Sequence, residues 1–113
     1  MMNINKKEQE LVNEILEYFD FKHTHRAMSL LKWKWVHSLE INKVPSVEEI
    51  KKEALNRILS AIEIAKESKD PNPNTNYFSS SGGFRAVAWK NRYGQITNLE
   101  LLFILDEWMS GDD

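Results

Sequence analysis

A chain of 113 residues is the size of one ordinary domain, with room for a single hydrophobic core and not for two independent ones. Hydrophobic residues make up 42% and charged residues 28%, a balance that excludes wholesale disorder, and no apolar run reaches the ~20 residues a bilayer span needs. A net charge of −2 argues against general nucleic-acid binding, and the absence of cysteine removes disulfides, thiolate catalysis and thiolate metal sites.

The N-terminus shows no apolar signal-peptide core, so a cytoplasmic location is expected. The first helix starts at Asn5, a good N-cap, with Glu8 three residues on to complete a capping box. Leu11, Val12, Ile15, Leu16 and Phe19 then recur on one helical face. A break is expected between Asp20 and Thr24. After it Ala27, Met28, Leu31, Trp35 and Leu39 share a face that Leu30, Trp33 and Val36 widen, as in a helix buried on two sides.

Ser46 and Glu49 mark the start of a third helix, with acidic residues in its first turn. Val47, Ile50, Ala54, Ile58, Ala61, Ile62 and Ala65 hold one face as far as about Lys66, and the Asp70-Pro71-Asn72-Pro73 run ends it. Residues 70–83 read as a long polar connector. Beyond it Phe84, Ala86 and Ala88 alternate with Arg85, Val87 and Trp89 at strand spacing. Asn91 to Gly94 is a turn in which Gly94 supplies a positive φ, and the return strand runs from Ile96 to Trp108, its other face (Leu102 and Ile104) also covered. Thr97 and Glu100 also have capping-box spacing, so a terminal helix over residues 97–109 is the competing assignment. The strand is preferred because the segment starting at Phe84 needs a hydrogen-bonding partner.

The expected fold is therefore α+β: a single domain over 1–113 with helices in 5–69, a connector at 70–83 and an antiparallel β-hairpin at 84–108. A lone hairpin is marginal in water, so either the helices cover it or a second subunit extends its sheet, and dimerisation is an expectation.

No acidic residue lies between Asp70 and Glu100, and this window holds Ser80, Ser81, Gly82, Gly83, Phe84, Arg85, Lys90 and Arg92. A second acid-free window, from Asp20 to Glu40, holds Arg26 and Trp33. Arginines fork onto phosphate oxygens, seryl hydroxyls and glycine backbone add hydrogen bonds, and an aromatic ring stacks on a base. The candidate ligand site is Arg26, Trp33, Ser80, Ser81, Gly82, Gly83, Phe84, Arg85 and Arg92; an ordinary solvated face and a flexible hairpin approach are the plain alternatives. His23, His25 and His37 are spaced poorly for convergent ligation, so no metal or other cofactor is expected. No nucleophile pairs with a base, and adjacent Asp106 and Glu107 cannot pair on a strand, so catalysis is not expected.

The layout of a Trp-rich second helix, Pro45-Ser46-Val47-Glu48-Glu49 opening a third, and Gly82-Gly83-Phe84 leading to Leu105-Asp106-Glu107-Trp108 resembles small proteins encoded by phages and prophages. Among these it is similar to the anti-Thoeris sponges, counter-defence oligomers that sequester cyclic ADP-ribose-type signals with aromatic and arginine side chains. The resemblance is one of layout, and no functional position is carried over from it. It implies a non-catalytic, homo-oligomeric protein that binds a phosphate-bearing, nucleotide-like small molecule. The alternative function is a protein–protein inhibitor or adaptor that covers a host surface and needs no small ligand.

Overall fold

A computed structural model of the chain describes residues 4–27, 45–69, 75–81 and 83–104. Among these residues the order is α1 (Lys6–Tyr18), α2 (Phe21–Ala27), α3 (Val47–Glu67), β1 (Asn76–Ser81), β2 (Phe84–Lys90) and β3 (Ile96–Phe103). The fold is α+β, with helices leading into one three-stranded antiparallel sheet of order β1-β2-β3. No helix among the described residues is long and apolar enough to cross a membrane.

The capping box at α1 forms as its spacing requires: the Glu8 N–H donates to Asn5 Oδ1 at 2.8 Å, and the Asn5 N–H donates to Glu8 Oε1 at 3.0 Å. α3 begins on Ser46, whose hydroxyl accepts from the Glu49 N–H at 3.2 Å. Its buried face is Ile50, Ala54, Ile58, Ala61, Ile62 and Ala65. These pack with Val12, Phe21 and the inward residues Phe84, Ala86, Ala88, Leu99 and Leu101 into one core. The alanines of β2 let α3 lie close over the sheet, and the helices supply the cover that a two- or three-stranded sheet needs in water.

Three expectations are corrected. The break at Asp20–Thr24 shrinks to Phe19 and Asp20, because Asp20 Oδ1 accepts from the His23 N–H at 2.9 Å and starts α2 at Phe21. Most of the Trp-rich second helix lies outside the described residues. The connector at 70–83 contains a strand: Asn76 to Ser81 pair with Trp89 to Phe84, leaving residues 82 and 83 as the link, with Gly83 at φ 86°. The third strand therefore comes from this chain, and completing the sheet does not require a second copy. Serine's low strand preference hid it, since Tyr77 and Phe78 alone did not make a pattern.

The second correction to the sheet concerns coverage. β3 is a strand from Ile96 to Phe103, so over that stretch the strand assignment holds against the helix; residues 105–109 lie outside the described residues. Ile104 is buried, but Leu102 is 39% exposed, so its face is not closed over. At the β2–β3 turn the Gly94 N–H donates to the Asn91 carbonyl at 3.0 Å and Gly94 sits at φ 79°. A bulge follows, because Trp89 faces Asn98 while Lys90 faces Ile96, leaving Thr97 as the extra residue.

Candidate functional site

Strand pairing sorts the side chains of the acid-free window by face. In antiparallel strands, directly opposed residues point the same way. Tyr77, Ser79, Phe84, Ala86, Ala88, Leu99 and Leu101 face the helices; Phe78, Ser80, Arg85, Val87, Trp89, Asn98, Glu100 and Leu102 form the outer face.

The structure brings together only part of the expected set. Arg85 and Ser80 are direct partners across β1 and β2, and Arg85 Nε donates to Ser80 Oγ at 3.1 Å. The guanidinium also lies 5.6 Å from the centre of the Phe78 ring. Phe78 is 58% exposed, and it was not among the expected residues. It stands two residues from Ser80 on the same strand, a relation that becomes visible only once β1 is recognised.

Phe84 is corrected. It is fully buried, with its ring centre 5.9 Å from Phe19 and 5.4 Å from Phe103, so it is a core residue and offers no stacking surface. Arg92 is also separated from Arg85. It sits exposed in the β2–β3 turn with its guanidinium 6.0 Å from the Tyr93 ring, beyond the end of β2, which runs about 17 Å from Arg85 to Lys90 at ~3.3 Å per residue. Gly83 forms part of the β1–β2 link and its carbonyl accepts from the Ile104 N–H at 2.9 Å. Arg26 belongs to α2, which packs on α3 in the helical layer, and its side chain lies outside the described residues, as do the side chain of Ser81 and all of Trp33 and Gly82.

Two charges that define the acid-free window take on different roles in the fold. Lys90 is buried, its ammonium donating to the Ser68 carbonyl at 2.5 Å and lying 5.2 Å from the Tyr77 ring. It caps the C-terminal end of α3, where the helix dipole is negative. Glu100, the acid that bounds the window in sequence, lies inside it in space: it faces Val87 and is diagonal to Arg85 on the outer face. Lys90 could not be told from a surface cation by its neighbours in sequence, since the carbonyl it serves is 22 residues away.

Two polar attachments between elements also escaped the sequence. Lys66 Nζ lies 2.6 Å from Glu8 Oε1, so the α1 capping glutamate is also a buried ion-pair partner of α3. Arg57 Nη1 donates to Ser79 Oγ at 3.2 Å, tying α3 to β1. Among the described residues no group of three His, Asp or Glu side chains is placed to hold a metal.

No known family, curated protein or solved structure matches this chain. The outer face can therefore be read only from its own chemistry. Among the described residues it carries an apolar strip with one cation and one anion.

Proposed function

We propose that this chain is a non-catalytic binding module that acts on a partner protein through the outer face of its sheet. One observation carries this: Phe78 and Leu102, 58% and 39% exposed, stand on either side of buried Val87, with Trp89 two positions further along the same face. Phe78 is opposite Val87 and Leu102 is diagonal to it, so the apolar strip crosses all three strands. Contiguous apolar patches rimmed by polar groups mark interaction surfaces more often than scattered exposed residues do. Arg85 and Glu100 supply the charges that would orient a partner. The test compares wild type with Phe78→Asp and Leu102→Asp in co-purification followed by crosslinking. A partner retained by wild type, crosslinked to β1 or β3 and lost by both variants supports the reading. Retention by both variants, with unchanged circular dichroism, sinks it.

Arg85 favours a second reading. Its guanidinium makes no ion pair among the described residues, and with Ser80 Oγ and the Phe78 ring it forms a small cationic and aromatic cluster. Such a cluster suits a phosphate oxygen and a stacked base. The ligand would be a phosphate-bearing small molecule such as the nucleotide immune signal that the anti-Thoeris resemblance implies, sequestered in the cytoplasm by a phage-derived protein. A homodimer, or a higher homo-oligomer, paired through the free edge of β1 would double this face. Thermal shift against mono- and cyclic nucleotides separates the two readings, since a ligand raises the midpoint only of the folded state it binds. A shift abolished by Arg85→Ala favours the small ligand, and a flat response removes it.

A further inference from the structure

Among the described residues β3 has a free edge that runs beside α1, and the seam between them is open. A cleft of about 270 Å³ touches Leu11, Glu14, Ile15 and Tyr18 of α1 and Asn98 and Leu99 of β3. Leu99 points toward the helices and Asn98 away from them, so a cleft that reaches both wraps the edge of the strand. A second cleft of about 290 Å³ continues the seam toward the β2–β3 turn, between Lys6 and Lys7 on α1 and Gln95 and Ile96 beside and within β3. Among the described residues β3 is the last strand in the sheet, and its outer N–H and C=O groups have no strand partner there. An unpaired edge flanked by a helix is the setting in which an extended peptide adds a strand and drops alternate side chains into the groove.

The lining also specifies what fits. Lys6 and Lys7 make one end basic, Glu14 makes the other acidic, and Leu11, Ile15 and Leu99 give the middle an apolar floor. Lys6 and Glu14 are about 12 Å apart along the helix at 1.5 Å per residue, close to the ~13 Å that four residues of extended chain span. We propose that this seam binds an extended segment of a partner protein with acidic, apolar and basic side chains at three alternate positions, added as a fourth strand along β3. The acid would meet Lys6 and Lys7, the apolar side chain would cover Leu11 and Ile15, and the base would meet Glu14. A second copy is the poorer occupant: the other free edge, β1 over Asn76–Ser81, carries no charge at all. Of the outer-face residues this surface touches Asn98 at the strand edge, and either reading can fail without the other.

The experiment is a nitrogen-15 NMR titration of the full chain with the peptide Ser-Asp-Thr-Val-Thr-Lys-Ser, up to millimolar concentration. Expected are shifts confined to Gln95–Leu99 and to α1, with slowed amide exchange on β3. Glu14→Lys, at an exposed position, should weaken binding at least tenfold, and a peptide with Asp in place of Lys should recover it. Shifts absent at millimolar peptide, unaffected by Glu14→Lys, or mapping to Phe78 and Leu102 would overturn the proposal. So would sedimentation showing wild type self-associated without peptide and Glu14→Lys monomeric, since a second copy would then occupy the seam.

Discussion

Lys90 donates to the carbonyl of Ser68 across 2.5 Å, so a strand residue closes the end of a helix whose C-cap lies 22 residues earlier. Ser68 is the C-cap of α3, and its hydroxyl donates to the Tyr77 hydroxyl at 2.9 Å, so helix end, β1 and β2 meet at one point. A buried ammonium is tolerated there because the terminal carbonyls of a helix present partial negative charge. Replacing Lys90 with Met keeps the apolar stem and removes the charge. The expected loss is about 1–3 kcal/mol, the cost of leaving a buried acceptor without its charged donor. Urea denaturation followed by circular dichroism measures it, and a change within error of wild type would show that the cap contributes nothing.

Glu8 and Lys66 couple α1 to α3 through a 2.6 Å contact in which Glu8 is 1% exposed and Lys66 side chain 32%. Glu8→Ala removes the side-chain half of the capping box and the ion pair together, the N–H at position 8 still donating to Asn5, with an expected loss of about 2–3 kcal/mol, the Lys66 end being partly solvated. Glu8→Gln retains the cap geometry and should lose less. A double-mutant cycle with Lys66→Ala isolates the pair, and additive single effects would show that the two residues are not coupled.

Phe84 and Phe78 give opposite expectations although they lie six positions apart. Phe84→Ala opens the core between Phe19 and Phe103 and should cost about 3–5 kcal/mol, enough to unfold a marginal domain. Phe78→Ala, on the exposed face, should stay within about 0.5 kcal/mol of wild type in folding. Thermal melts of both variants check the assignment of faces in the sheet, and the reverse order would mean that the register is wrong.

Gly94 adopts φ +79° with open space where a Cβ would sit, so substitution strains the backbone and clashes with nothing. Gly94→Ala should cost about 1–2 kcal/mol, the penalty of a left-handed conformation for an L side chain, and Gly94→Asn less. Equal melting temperatures for the two variants would contradict this account.

Elements whose signals are local could be read along the chain. Asn5 with Glu8 and Ser46 with Glu49 set helix starts because a cap and its partner lie within one turn, and the spacing from Ile50 to Ala65 drew the buried face of α3. The alternation from Phe84 to Trp89 and the glycine at position 94 placed a hairpin for the same reason. The roles of the side chains in that hairpin depend on how the sheet packs. Alternation divides residues between two faces but does not say which face meets the helices, and that choice put Phe84 in the core and Arg85 on the outside. Pairing across the sheet recruited Asn76–Ser81 as a strand, set Ser80 beside Arg85, and moved Glu100 into a window free of acids along the chain. It also took Lys90 out of that window and gave it to the end of α3. Each of these relations joins residues distant in sequence through hydrogen bonds or burial, and local composition carries no record of them.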